Sequence, residues 1–248
     1  MKKIIYIISF FLIFACDSEN SGDCFKNTGS IIQQEVIVDA FDNVLVNRDI
    51  ELIIKEGSEQ KVVIETGENL LVNVDAIVTD GRLTLTDNNT CNYTREYGVT
   101  KVFITSPNIN KIRSSTQYDI SSDGVLTYPS LTILSEDFGA PETITSANFN
   151  LQIDNNSFQV VFNNLSNCFV SGKTENLNVK FAAGTSRFEG QNLAAQKVFV
   201  SNRGSNDMIV NPQQEITGKI LGIGDVILVN TPPIIDVEEV YIGRLLFK

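Results

Sequence analysis

The side chains with chemical reach in this chain are carboxylates, carboxamides, hydroxyls and four thiols; its 248 residues include no His and no Trp. Without His there is no Ser-His-Asp or Cys-His nucleophile, no imidazole base and no His-ligated metal. Two carboxylates stand out. Asp207 follows Gly204, and Asp225 follows Gly222, each at an offset of three. Equivalent turns would place the two side by side, where paired carboxylates could bind Ca²⁺ or work as an acid/base pair. The plainer alternative is that both bond the backbone of their own turns, as Asp often does. No other metal set and no resident cofactor is expected. Glu136-Asp137, Asp119 and Asp123 read as solvated faces.

Binding, as distinct from catalysis, points to the aromatics. Tyr93 and Tyr97 lie in a turn-rich stretch beside Cys91. If exposed they could stack on sugar rings; the alternative is ordinary packing of their loop onto the core. The cationic side chains are scattered singly (Arg113, Lys173, Lys180, Arg187, Arg203, Lys219), with no cluster beside an acid pair. Gly222-Ile223-Gly224 is not a phosphate loop, because no GK[ST] and no helix pattern follow. The thiols are Cys16, Cys24, Cys91 and Cys168. A Cys24–Cys91 disulfide would clamp the start of the folded part by closing a long loop; the alternative is that both are reduced. Cys168, beside Phe169 and Val170, reads as a buried free thiol.

The elements that must position these groups are strands. Alternation recurs at 50–55, 62–65, 82–86, 101–105 and 131–133, with turn clusters such as Thr79-Asp80-Gly81 and Ser122-Asp123-Gly124 between. The single helical or turn candidate is 67–72. In the second half, apolar pairs (Leu151/Ile153, Leu177/Val179, Val198/Val200) each precede a small or polar turn. From Gly184 to Gly204 is 20 residues, and from Gly204 to Gly222 is 18. A period near 20 predicts a β-solenoid, an all-β fold in which one coil stacks on the next, behind a β-rich N-terminal portion. An evenly spaced β-sandwich is the competing architecture.

Charge and the N-terminus predict where the protein works. Thirty acidic against 19 basic residues make the net charge −11, which argues against a nucleic-acid partner. Residues 1–15 read as a lipoprotein signal peptide: Lys2 and Lys3 precede an apolar run from Ile4 to Ala15 interrupted only by Ser9. That run falls short of the ~20 residues of a spanning helix. Ile13-Phe14-Ala15-Cys16 resembles a bacterial lipobox, which implies lipidation at Cys16. Residues 16–30 then form the lipid anchor and a flexible tether, and 31–248 the folded domain. Loss of Lys2 and Lys3 takes the charge from −11 to −13, so the membrane is engaged through acyl chains rather than electrostatics. The expected address is the bacterial cell envelope, at the outer membrane.

A family resemblance emerges from the residues taken together. Phe41-Asp42-Asn43-Val44-Leu45-Val46 is followed by Ile50-Glu51-Leu52-Ile53-Ile54-Lys55-Glu56-Gly57, then by Val62 to Leu71 and Asp80-Gly81-Arg82-Leu83-Thr84-Leu85. Near the C-terminus come Gly204 to Val210, Gly222-Ile223-Gly224-Asp225-Val226 and Asn230-Thr231-Pro232-Pro233. Over roughly 30–245 this resembles the putative auto-transporter adhesin head GIN domain, a family common in lipoproteins of Bacteroidetes. The resemblance implies a right-handed, single-stranded β-helix with no established enzymatic activity. The function expected is a non-enzymatic, adhesin-like binding or structural module, with a glycan or an envelope protein as partner. The alternative is a carbohydrate-active enzyme using surface carboxylates.

Overall fold

The computed structural model describes residues 23–89 and 91–248. The expected signal peptide, Cys16 and the first part of the tether lie outside the described residues. The fold is all-β. In chain order the first strands are β1 (Ile31–Val36), β2 (Asn43–Val46), β3 (Ile50–Glu56), β4 (Lys61–Gly67), β5 (Val74–Thr79), β6 (Arg82–Asp87), β7 (Thr100–Ser106), β8 (Lys111–Ser114), β9 (Ile120–Leu126) and β10 (Ser130–Ser135). Four long strands follow: β11 (Asn148–Phe162), β12 (Asn167–Phe181), β13 (Arg187–Asn202) and β14 (Met208–Ile220). The series closes with β15 (Val226–Leu228), β16 (Ile234–Glu239) and β17 (Leu245–Phe247). Helical backbone among the described residues amounts to two 3-10 turns, Asp23–Phe25 and Leu71–Asn73. The second falls where the sequence predicts a helix or turn at 67–72.

All 17 strands belong to one mixed sheet, folded into two facing layers. One layer runs β1–β4–β7–β3–β9 and continues through the first halves of β11 to β14 into β15 and β17. The other runs β5–β6–β2–β8–β10, then through the second halves of β11 to β14 into β16. The long strands join the layers, so a segment the sequence divides into two apolar pairs is one strand that bends. Every pairing is parallel except β1–β4, β4–β7 and β5–β6. From β8 onward the layers grow in chain order: the steps into β11 are wide, 29 (Ile120↔Phe149) and 27 (Leu131↔Phe158), and beyond β11 they run between 17 (Ala194↔Asn211) and 21 (Asn178↔Phe199). Before β8 that order breaks: β2 lies between β6 and β8, and β3 between β7 and β9.

Alternation decides which side chains face inward. In β10, Leu131, Ile133 and Ser135 are buried and the residues between them are not. Parallel registry converts this period of two into ladders. One inner ladder is Ile120, Phe149, Cys168, Phe188, Met208 and Val226. A second, at the far edge, is Ser135, Phe162, Phe181, Asn202 and Ile220. There the rings of Phe162 and Phe181 stack 6.1 Å apart, and Phe149 lies 5.3 Å from Phe162. Asn202, fully buried, stands where a third Phe would fall. Its amide donates to the Asn206 and Gly224 carbonyls (both 3.1 Å), and its Oδ1 accepts the Gly204 N–H at 3.0 Å. Burial of so polar a side chain is sustained by those bonds; they tie together the turns that the sequence marks with Gly204 and Gly222.

Candidate functional site

The thiols fall into two environments. Cys24 and Cys91 are joined, with Cα atoms 4.5 Å apart, and Cys168 is a buried free thiol within the first inner ladder. Around the disulfide the chain is well anchored. Tyr93 N–H donates to the Cys24 carbonyl at 2.9 Å, and the Arg95 guanidinium reaches the carbonyls of Lys26, Asn89 and Cys91. The backbone of Thr28 and Ser30 accepts from Asn69 and Glu68. The stretch 24–30, assigned to the tether on sequence grounds, is therefore docked along the domain's edge.

Tyr93 and Tyr97 project from this loop, 77% and 75% exposed. The Tyr93 ring meets Phe25 at 5.9 Å, and the Tyr97 hydroxyl donates to the Asn92 carbonyl at 3.3 Å. Tyr97 borders a crevice of only about 50 Å³ that Tyr93 does not line. That is far below the several hundred Å³ of a typical ligand pocket.

Asp207 and Asp225 are stacked neighbours in a polar ladder along one rim. It begins with Asp119, which accepts from the Asn148 amide at 3.1 Å; Asn148 in turn accepts from Asn167 at 3.0 Å. Further along, Arg187 donates to Asp207 at 3.4 Å, the Asp225 N–H to Asp207 Oδ1 at 3.1 Å, and the Arg244 N–H to Asp225 Oδ1 at 2.8 Å. Each of the two carboxylates is thus spent on a fixed donor of an adjacent coil. Arg187 also binds Glu189, and the hydrogen bond it donates to that carboxylate, with Asp207 beyond it, holds the guanidinium above its ordinary pKa. Among the described residues no three Asp, Glu, Cys or His side chains gather to hold a metal ion.

The arrangement best built to receive a ligand is one the sequence reading passes over. Along the first layer, three of the four pairings from β9 to β14 slip at the same height, while β11–β12 among them stays in register. The register shifts between Asn150 and Gln152 against β9, between Phe169 and Ser171 against β13, and between Glu189 and Ala194 against β14. Residues 122–124 of β9 lie opposite Leu151 alone, and in β13 residues 190–191 lie opposite Val170 alone and 190–193 opposite Val210 alone. Side chains close the broken ladder on both flanks: Ser122 Oγ accepts the Gln152 N–H at 2.9 Å, and the Asn211 amide donates to the Gln191 carbonyl at 3.2 Å. An open groove of about 440 Å³ lies over these shifts. Its outward ladder is Ser121, Asn150, Phe169 and Glu189, with Gln152, Ser171, Gln191 and Asn192 beside it. Phe169, 43% exposed, is the ring in this lining. Glu189 is the one ionisable side chain there, and it is bound to Arg187.

Two glycines beside the groove admit close contacts that a side chain would block. Gly172 has φ +111° and lies so close to β11 that a Cβ would sit 2.0 Å from the Ile153 carbonyl oxygen. At Gly190 a Cβ would lie 2.4 Å from the Phe188 ring. The visible signals were therefore Ser122-Asp123-Gly124 and Gly190-Gln191, which in one dimension look like ordinary turn residues.

Comparison with known proteins places this architecture. Residues 40–232 match the family model described as the putative auto-transporter adhesin, head GIN domain. A solved putative adhesin from Bacteroides fragilis NCTC 9343 superposes with a TM-score of 0.79 at 18% identity, over 90% of this chain and 99% of that one. A putative adhesin from Parabacteroides merdae ATCC 43184 gives 0.61 at 13% identity, and one from Parabacteroides distasonis ATCC 8503 gives 0.59 at 14%, each over 90% and 99% of the two chains. At such identities the likeness is one of fold. No curated protein matches the chain.

Proposed function

The chain belongs to the family of the putative auto-transporter adhesin head GIN domain, and we propose on that premise that it is a non-enzymatic, adhesin-like binding module of the bacterial cell envelope. In this reading the ordered parallel stack from β8 onward is a right-handed, single-stranded β-solenoid that serves as a rigid body. The chain is exported, is lipidated at Cys16, and holds its groove away from the outer membrane for a glycan or an envelope protein. The observation that carries the proposal is the groove at the aligned register shifts of β9 and β13, which is lined with hydrogen-bonding side chains. Its lining favours holding over converting. Glycoside hydrolysis needs two carboxyl groups on opposite sides of the bond to be broken; here Glu189 stands without a second and is tied to Arg187.

The experiment has two arms. Cys16→Ser should release the protein from the membrane fraction; continued membrane association would end the lipid-anchor reading. Beads coated with the wild-type protein should adhere to neighbouring bacterial or host surfaces, and Gln152→Ala/Gln191→Ala beads should adhere less. Equal adherence by both, or by neither, would remove the groove from this role.

A further inference from the structure

We propose that the groove at the aligned bulges takes a neutral sugar ring, stacked on Phe169 and held by the carboxamides of Gln152 and Gln191, beside Asn150, whose amide is already given to Asp119 at 3.2 Å. This deepens the adhesin-like reading above and rests on it. The argument begins with what the lining can offer. A carboxamide both donates and accepts, as a sugar hydroxyl does, so a field of amides and serines can satisfy a polyol in several orientations. Gln152 and Gln191 are exposed, and no hydrogen bond within the fold occupies their side-chain amides. Phe169 supplies the complementary apolar surface for the C–H face of a pyranose.

Other occupants fit less well. An extended peptide would need free backbone groups to add to, but the groove floor consists of strands paired on both sides, with their broken rungs closed by Ser122 and Asn211. An anionic polymer would meet Glu189 and a chain of net charge −11, with no cation in the lining to pair with. A neutral, hydroxyl-rich ring meets no such objection. The volume of about 440 Å³ suits one or two such rings.

The test is a glycan array of neutral and acidic oligosaccharides probed with the purified protein, followed by calorimetric titration of the best neutral binder at low and high salt. Binding to neutral glycans that is insensitive to salt is expected. Phe169→Ala should weaken it at least tenfold, whereas Phe199→Ala, which removes the exposed ring of the opposite layer, should leave it unchanged. Gln152→Ala supplies a second probe whose exposed side chain has no part in the fold, in case Phe169→Ala unfolds. Retained affinity in both groove variants, equal loss in Phe199→Ala, or salt-sensitive binding confined to acidic glycans would overturn the proposal. Loss of every glycan signal while coated beads still adhere through the groove would overturn the sugar assignment alone. Loss of adherence as well would take the adhesin-like reading with it.

Discussion

The carboxylate of Asp207 accepts the backbone N–H of Asp225, 18 residues further along the chain and 3.1 Å away. The two aspartates that chain spacing marks as a pair are adjacent and joined through a backbone amide. The same Asp207 receives the Arg187 guanidinium at 3.4 Å. Asp207→Ala should therefore cost about 2 kcal/mol of stability through an orphaned amide and a lost charged hydrogen bond; the ion pair, a third exposed on each side, adds little. Asp225→Ala should cost about half as much. Urea unfolding measures both. Millimolar Ca²⁺ should leave the melting temperature unchanged; a rise of several degrees that vanishes in Asp207→Ala would instead demonstrate calcium ligation.

Reduction should loosen one end of the molecule. The Cys24–Cys91 bridge spans 67 residues, for which loop-closure entropy gives up to about 4 kcal/mol. Cys24→Ser/Cys91→Ser should unfold at lower urea than the oxidised protein and match the wild type in reductant. Hydrogen exchange should rise first in β1 and in the loop around Tyr93. Equal urea midpoints with and without reductant would mean that the bridge constrains nothing.

Cys168 should be silent toward thiol reagents in the native protein and react only on unfolding. Complete burial among Phe149 and Phe188 pushes its thiol far above the ordinary value of 9.0. The sign for stability follows. Below the unfolded-state pKa both states keep the proton and the native state loses nothing. As pH rises past 9 the unfolded chain releases the proton and the native chain holds it, so stability falls by about 1.4 kcal/mol per pH unit. Tyr128, whose hydroxyl is likewise pushed up by burial, adds the same trend from its ordinary value of 10.0 upward. Between pH 9 and 10 the slope should disappear in Cys168→Ala. A slope unchanged by that substitution would refute the assignment.

Backbone contact between coils makes one glycine critical. At Gly218, φ is +133° and a Cβ would lie 1.9 Å from the Val200 carbonyl oxygen. Gly139 also has a positive φ but has nothing within 4 Å. Gly218→Ala should cost more than ~2 kcal/mol and Gly139→Ala about 1 kcal/mol or less, a contrast that chemical denaturation resolves. Equal costs would mean that the coils can part to admit a methyl group.

Much of this architecture is legible in one dimension because burial follows a period of two. Leu131/Ile133, Leu177/Val179 and Val198/Val200 can be assigned inward from alternation alone, and the glycine spacing of 18 to 20 residues places Asp207 beside Asp225. The N-terminal half hides its order. Nothing local to β2 says that it will lie between β6 and β8, because that is settled by long-range pairing of strands with interchangeable apolar faces. The groove was hidden for a related reason. A bulge is a mismatch between two strands, so Gly190-Gln191 acquires meaning only against Val210 and Asn211 across the ladder. Phe169 likewise looks like core beside Cys168 and Val170 until registry places it in the outward row with Asn150 and Glu189.

The bridge at Cys24 has a mechanical meaning as well. A pull arriving along the chain from its N-terminal side reaches the sulfur of Cys24 and can cross at once to Cys91. Strands β1 to β6, which lie between these residues in sequence, are bypassed along the covalent chain. Tension enters the fold at β7, which is held between β3 and β4, so those two strands resist it sideways through their ladders and are not unravelled from their own ends. For a protein whose work is to hold on, the covalent shortcut shields the half of the fold whose strands are interleaved out of chain order and would be slowest to re-thread once pulled apart.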